Sequence, residues 1–326
     1  MSRREASVET WFLGHGLPYF VAEERAAVRE GLRLRRLVPV GVLVLALAAA
    51  AGGLLGSLSD TYTSAPALWL SLTALGLLWY AATALRARPI LGFALSRTLG
   101  SVRYLVPMAS RALPLLLVFV TFLFVNAEAW QMTSYLPFGL LWVTVLLMFG
   151  LAVLFLLVRL PEEVDRVDDE VDDDLVLRAC AGTPLEEASR RMAEDPSIDP
   201  QQYAQVTGFE RWNLILVLLV IQTVQVVLLS VTVFVFFMLF GSLVMQERTQ
   251  LAWSGLETVS ALPYLTSVSV SLTKVSLFLA SFSGFYFTVS AVTDDTYRRQ
   301  FFSAVESQLE RAVGMRVVYL ATRERS

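Results

Sequence analysis

Histidine, cysteine and lysine are nearly absent from this chain of 326 residues. The single histidine, His15, lies between two glycines, and it excludes a metal site built from several imidazoles of one chain. We expect His15 to be an interfacial residue. The single cysteine, Cys180, cannot form an intramolecular disulfide. Because no CxxC partner and no basic cluster lies near it, we expect Cys180 to be a small buried apolar residue and not a redox centre.

Recognisable catalytic motifs are absent as well. The sequence contains no Walker A loop, no G-x-S-x-G elbow, no H-E-x-x-H and no dinucleotide fingerprint. No Asp, Glu, Arg or His lies near the middle of a long apolar run, so a proton relay through a membrane has no chain of carboxylates to use. We therefore expect no catalytic residue, no metal and no cofactor, and an enzyme is disfavoured.

Long apolar runs are what the sequence has in abundance. Hydrophobic residues make up 56% of the chain, charged residues 17%, and the mean hydropathy is +0.59, which is typical of a protein whose solvent is largely lipid. Six runs approach the roughly 20 residues that a helix needs to cross about 30 Å of hydrocarbon. They are Leu37–Leu58, Ala67–Leu85, Ala112–Trp130, Pro137–Val158, Trp212–Met245 and Val270–Val292. The fifth run contains no proline, and no glycine before Gly241, so it predicts one long helix.

Arginines alternate between the gaps that separate these runs. They cluster before the first run, in 85–111, in 159–211 and after 293, whereas 59–65 and 127–136 contain none. Basic segments beside membrane spans stay on the cytoplasmic side. The pattern therefore predicts a multi-pass plasma-membrane protein with its N and C termini in the cytoplasm. Interfacial aromatic residues agree, with Trp79, Tyr80 and Trp212 expected at the inner surface and Trp69, Trp130, Tyr135, Trp142 and Tyr264 at the outer one.

We predict an all-α fold, a six-pass transmembrane helical bundle with a small cytoplasmic helical layer. Its expected parts are a cytoplasmic amphipathic N-terminal segment (1–36), transmembrane helices 1–4 (37–158), an acidic cytoplasmic helical insert (159–211), transmembrane helices 5–6 (212–292) and a C-terminal amphipathic helix (293–326). In the first part we expect a kinked interfacial segment and then a helix over Val21–Arg36, whose arginines face anionic headgroups. In the insert, Thr183–Glu186 reads as a capping box and Asp199-Pro200 as the start of a short helix. In the last part, Tyr297, Phe301, Val305 and Leu309 form one apolar stripe.

Four polar residues are candidates for a ligand or ion path: Lys274, Gln222, Gln225 and Glu128. Lys274 is the only charge within a predicted span, about one turn from the outer surface. It either snorkels or pairs with a carboxylate, for which Glu128, Glu247 and Glu257 are available, or it contacts a ligand in an outward-facing cavity. The two glutamines share one face of the fifth helix and serve either helix packing or a substrate path.

Small residues and carboxylates form two further patterns. Ala280 and Gly284 on the sixth helix, with Ala48, Gly52 and Gly56 on the first, recur every four residues and favour close helix packing. The acidic stretch Glu162–Asp174 lacks the glycine and the terminal glutamate of a calcium loop. It is typical of a solvated linker that pairs with neighbouring arginines.

Three segments carry a resemblance to a known group. ETWFLGHGLPYFVAEERAAV (9–28), FLFVNAEAWQ (122–131) and ERWNLILVLLVIQ (210–222) resemble uncharacterised multi-pass integral membrane proteins of actinobacteria. The use of arginine in place of lysine suits a genome rich in G and C. This resemblance implies a location and a topology, and it implies no functional residue.

Two classes of function therefore remain. The first is a non-catalytic membrane scaffold or regulatory partner, whose expected contacts are a bilayer with anionic headgroups and either a protein partner or a second copy of the chain. The alternative is a channel or transporter with a path between helices 5 and 6. Nucleic acid is not an expected partner, because the net charge of −3 provides no basic surface to bind it.

Overall fold

Helices form nearly all of the protein in the computed structural model, which describes residues 3–58, 64–100, 117–195, 197–262, 265–293 and 295–324. The helices in chain order are α1 (Arg3–Gly14), α2 (Ala22–Gly31), α3 (Leu34–Leu58), α4 (Ser64–Thr83), α5 (Arg88–Gly100), α6 (described over 117–124), α7 (Ala127–Tyr135), α8 (Phe138–Asp169), α9 (Asp173–Cys180), α10 (Glu186–Ala193), α11 (Gln201–Ala204), α12 (Gly208–Val244), α13 (Glu247–Ser254), α14 (Val270–Thr293) and α15 (Asp295–Glu324). A 3-10 turn covers Pro18–Phe20, and β1 (Ala261–Leu262) pairs antiparallel with β2 (Leu265–Ser269). The predicted all-α class is confirmed.

Five of these helices, α3, α4, α8, α12 and α14, are long and apolar enough to cross a membrane. The predicted fifth span is one uninterrupted helix of 37 residues, α12, as expected from its lack of proline. The predicted third span, Ala112–Trp130, lies partly outside the described residues. Its end is wrong, because α6 stops before Asn126, whose side chain accepts a hydrogen bond from Glu128 N at 2.8 Å and starts α7.

Small residues bring the spans together where the sequence predicts close packing. Gly52 of α3 lies against the backbone of Ala65 in α4, and Ala48 is buried. Gly284 of α14 lies against Ser230 of α12, and a larger side chain at this position would require the Ser230 hydroxyl to shift. The small-residue positions therefore serve helix packing.

The N-terminal segment packs into the core of the protein, and its predicted place in the membrane interface stays a prediction. Phe12 and Tyr19 are only 1% and 3% exposed. The predicted helix over Val21–Arg36 is broken, because α2 ends at Gly31 and α3 begins at Leu34. Gly31 lies against the carbonyl of Ala84, and its own carbonyl accepts a hydrogen bond from the Tyr80 hydroxyl at 2.6 Å, so the chain turns where it meets α4.

One continuous core joins the N-terminal helices, the insert and α15 to the adjoining ends of α8 and α12. We call this assembly the polar layer. Val313, Val317 and Ala321 of α15 are buried in it, and Leu309 of the predicted stripe is buried too. The side chains of Tyr297, Phe301 and Val305 lie outside the described part. At the opposite end of the bundle, which we call the loop end, α7 packs on α13 and α14.

The acidic stretch Glu162–Asp174, predicted to be a solvated linker, is largely helical. Helix α8 continues past its apolar part to Asp169, and Arg159 and Arg166 pair along it with Glu163. Helix α11 follows Asp199-Pro200 as predicted. The predicted capping box over Thr183–Glu186 does not form at the start of a helix. Glu186 instead accepts a hydrogen bond from Gly182 N, and α10 begins only at Glu186.

Candidate functional site

Lys274 of α14 caps the C-terminal end of α7. Its Nζ donates to the carbonyl of Ser134 at 2.9 Å and to the carbonyl of Leu136 at 2.8 Å. These carbonyls belong to the last turn and C-cap of α7, where intrahelical donors run out and a positive charge is stabilised by the helix dipole. Nζ also lies 5.1 Å from the centre of the Phe138 ring. With 9% of Lys274 exposed, it neither snorkels to the surface nor faces an open cavity.

Glu128 does not reach Lys274. It lies in the first turn of α7, whereas Lys274 caps the last, and eight residues of helix separate Glu128 from Leu136 by about 12 Å. Among the described residues, neither Glu128 nor the two other carboxylates named from the sequence, Glu247 and Glu257, forms an ion pair with Lys274. The lysine is instead stabilised by the dipoles of backbone carbonyls. The sequence alone does not show whether the partner of a lysine in an apolar helix is a backbone carbonyl or a carboxylate.

Gln222 and Gln225 lie far from this lysine. Gly241 of α12 contacts Leu272, and Gly284 of α14 contacts Ser230, so the two helices are antiparallel and Lys274 lies level with residue 239 of α12. That level is about 25 Å of helix rise from Gln222. The four candidate residues therefore do not form one site.

Gln222 is fully buried, and its two amide atoms have no hydrogen-bond partner among the described residues. Oε1 of Gln225 is also buried without a partner there. Helix α5 packs against α12. The burial of Gln222 favours helix packing for that residue, whereas Gln225 is only half-buried and leaves both alternatives open.

A cavity of about 340 Å³ does lie between α8, α12 and α14. Its lining is apolar except for the hydroxyl groups of Ser230 and Ser281. Lys274, Gln222 and Gln225 are not among its lining residues. Such a cavity offers no coordination to an ion and no continuous row of polar groups to water.

The polar layer contains a network of charged side chains that joins three helices. Glu210 of α12 accepts hydrogen bonds at 2.6 Å from Arg25 Nη1 of α2 and from Arg316 Nε of α15. Arg316 Nη1 also donates to the carbonyl of Tyr203 at 2.6 Å. The side chains of Glu210 and Arg316 are only 12% and 11% exposed, so the network is partly desolvated and sensitive to loss of one partner. We call Arg25, Glu210 and Arg316 the charge clamp.

Asn213 holds the N-terminal segment one turn further along α12. Its Oδ1 accepts from Tyr19 N at 2.7 Å, and its Nδ2 donates to the carbonyl of Gly16 at 2.9 Å. Asn213 is fully buried, and Gly16 adopts a left-handed φ of 72° while lying against Phe93. Sequence reasoning missed Asn213, although a lone asparagine within an apolar helix is a signal that could have identified it.

The junction between α8 and α9 is acidic and exposed. Asp169, Glu170, Asp172, Asp173 and Asp174 all lie at the surface, and we call them the acidic turn. Asp172 caps α9 by accepting from Leu175 N at 2.7 Å. Within the described ranges no member of the acidic turn forms an ion pair.

The remaining candidate groups are inert. Burial raises the pKa of the Cys180 thiol to about 12, as expected of a buried apolar residue. The His15 ring stacks on Trp11 at 3.9 Å between centroids, and burial lowers its pKa. Its Nδ1 lies 2.8 Å from the carbonyl of Trp11, so the neutral ring donates there. Across the part of the chain that the structure describes, no group of three His, Cys, Asp or Glu side chains could hold a metal ion.

Comparisons of this chain with protein families, with curated proteins and with solved structures found no match. The resemblance to actinobacterial membrane proteins therefore stays a prediction, and function has to be argued from the geometry.

Proposed function

We propose that this chain is a non-catalytic scaffold or regulatory partner of the plasma membrane, with both termini and the polar layer in the cytoplasm. The observation that carries the proposal is the construction of the polar layer. The charge clamp and Asn213 bind the N-terminal segment, α12 and α15 into one folded unit on top of the spans. A rigid folded unit of this kind is suited to presenting a surface to another protein.

The arginines support a cytoplasmic polar layer that rests on anionic lipid. Arg33, Arg35 and Arg88 are exposed at the turns that connect the polar layer with α3 and α5. Leu34 at the start of α3 and Trp79 in the last turns of α4 are 74% and 64% exposed. Exposed basic and apolar side chains at one level match the boundary between headgroups and hydrocarbon.

The acidic turn is the surface that we assign to a protein partner. Its carboxylates project from the polar layer and are not neutralised by ion pairs among the described residues. A basic segment of a partner protein would complement them and would be steered to them over about one Debye length, roughly 8 Å at physiological salt.

A channel or transporter path between α12 and α14 is the weaker candidate. It needs Gln222 and Gln225 to face water, and it needs Lys274 to be available to a ligand. Reconstituted in liposomes, the wild-type protein should give no more ion or solute flux than empty liposomes. Flux that is abolished in Gln225→Leu or Lys274→Ala would reject the scaffold proposal.

Crosslinking in cells tests the partner surface. We expect the wild-type protein to capture a defined partner, and the double variant Asp173→Lys, Asp174→Lys to lose it because the charge of the acidic turn is reversed. Glu194→Lys, an exposed change directly after α10 and outside the acidic turn, is the matched control and should retain the partner. Equal capture by all three proteins, or none by the wild type, would contradict the assignment.

A further inference from the structure

The cavity between α8, α12 and α14 is elongated along the spans. On α8 its lining runs from Trp142 to Ala152, which corresponds to about 15 Å of helix. It is completed by residues 226–234 of α12 and 277–285 of α14. Its volume of about 340 Å³ falls within the range of roughly 300 to 1,000 Å³ that is typical of small-molecule sites.

The rim of this cavity faces sideways out of the bundle. Trp142, Phe149 and Val231 line it and are 42%, 42% and 51% exposed. Helix α6 packs elsewhere on α12, with Phe124 stacked on Phe237 at 4.7 Å between ring centroids. Because the rim lies within helices that are long and apolar enough to span a membrane, the cavity opens towards hydrocarbon and not towards water.

The lining offers a polar ligand only the hydroxyl groups of Ser230 and Ser281, and that of Ser230 lies against Gly284. The Ser281 hydroxyl donates to the carbonyl of Phe278 at 2.8 Å, and Trp142 Nε1 donates to the Ser71 hydroxyl at 3.1 Å. No charged side chain lines the cavity. An occupant therefore gains only dispersion contacts and must be apolar, flexible and elongated.

We infer that the cavity binds one acyl chain of a membrane phospholipid. An empty cavity of this size would forfeit the dispersion contacts of every atom that lines it, and acyl chains are the apolar groups that surround the rim. Ala152 and Ala280 leave the space because their side chains are too small to fill it. The inference does not depend on the scaffold proposal, since it concerns the spans and not the polar layer.

Lipid retention tests this site directly. The wild-type protein, Ser281→Leu and Thr232→Leu are reconstituted with dioleoyl phosphatidylglycerol, extracted into detergent, washed, and weighed by native mass spectrometry. Ser281→Leu places a larger side chain in the cavity. Thr232→Leu is the matched control, because its hydroxyl also donates to a carbonyl of its own helix, that of Leu228, and its side chain is exposed away from the cavity.

We expect one retained phospholipid on the wild type and on Thr232→Leu, and none on Ser281→Leu. Equal retention by the three proteins, or no retention by the wild type, would overturn the inference. A lipid-free wild-type dimer that becomes a monomer in Ser281→Leu would also overturn it, because a second copy would then fill the cavity. Ala152→Leu repeats the test from the facing helix if Ser281→Leu does not fold.

Photolabelling of the wild-type protein needs no substitution. In vesicles that contain phosphatidylcholine with a diazirine on its acyl chain, labels should concentrate on 142–152 and 226–234. Helices α3 and α4 have largely exposed apolar surfaces and serve as the internal comparison. Labelling of α3 and α4 at or above the level of the cavity segments would contradict a retained chain.

Discussion

At the scale of single residues, rare polar side chains stabilise the fold by hydrogen bonding to backbone groups. Lys274 caps the C-terminal end of α7, and Asn213 forms hydrogen bonds to the backbone of the loop that contains Gly16 and Tyr19. Each of them satisfies backbone groups that water would otherwise have to reach. Because these backbone groups are buried, loss of either side chain would leave them without a hydrogen-bond partner, at a cost in local stability.

Lys274→Met keeps most of the length of the side chain but removes the three donors. We expect it to destabilise the protein by about 1.5 to 3 kcal/mol, because two carbonyls at the end of α7 lose a charged donor. Thermal unfolding of the detergent-solubilised protein measures this loss as a lower midpoint. Arg248→Met removes an exposed charge at the same end and should leave the midpoint unchanged. An unchanged midpoint in Lys274→Met would show that the caps are unimportant.

Cys180 should be chemically silent in the folded protein. Its pKa is raised to about 12 by burial, so at pH 8 it carries far less thiolate than an ordinary cysteine of pKa about 8.5. Iodoacetamide should leave Cys180 unmodified in the folded protein and alkylate it after denaturation. Glu194→Cys, at an exposed position, provides the positive control. Rapid alkylation of folded wild-type protein would contradict the buried environment.

At the scale of helices, the N-terminal segment is docked and not peripheral. Its contacts with α12 run through Asn213, and its contacts with α4 run through the Tyr80 hydroxyl and Gly31. Tyr19 also donates from its hydroxyl to the carbonyl of Leu85 at 2.7 Å. The segment therefore links the polar layer to two spanning helices.

Asn213→Leu should release this segment. The substitution leaves Tyr19 N and the Gly16 carbonyl without partners, at a cost of about 1 to 3 kcal/mol for each buried group. We expect limited trypsin digestion to cleave at Arg25 faster than in the wild type. Asn126→Ala removes a helix cap at the loop end and should leave the protection of Arg25 intact. Equal cleavage in Asn213→Leu and wild type would mean that Asn213 does not hold the segment.

The sequence predicts helices well where one local rule decides them. Apolar length predicts α12, and Asp199-Pro200 predicts α11. It fails where tertiary contacts decide. Trp130 reads as an interfacial residue, yet it is fully buried and its Nε1 donates to the Phe124 carbonyl at 2.8 Å, beside the point where α6 ends.

In the candidate site, too, the sequence identifies single residues but not the tertiary contacts that they make. Lys274 can be identified from the sequence as unusual, but its partners come from α7, about 140 residues earlier, so no local pattern contains them. The charge clamp joins Arg25, Glu210 and Arg316 across most of the chain. Such ion pairs cannot be predicted from the sequence, because each residue alone has the features of an ordinary surface charge.

At the scale of the whole molecule, the account rests on a polar layer at one end of an apolar bundle. Both terminal helices, α1 and α15, belong to that layer, and Phe12 of the first contacts Tyr319 of the last at 5.9 Å between ring centroids. If the arginines orient the bundle as proposed, the layer and both termini are cytoplasmic, while the loop end with α7 and α13 lies outside.

Single-cysteine labelling in intact cells tests that orientation most directly. From the sequence alone, Thr63 and Ser134 would be chosen as outer positions and Ser189 as an inner one, but Ser134 and Ser189 are buried and Thr63 lies outside the described residues. Glu257 at the loop end and Glu194 in the polar layer are exposed and replace them. In a Cys180→Ala background, an impermeant maleimide should label Glu257→Cys in intact cells and Glu194→Cys only after permeabilisation. Labelling of Glu194→Cys in intact cells, with Glu257→Cys protected, would contradict the account.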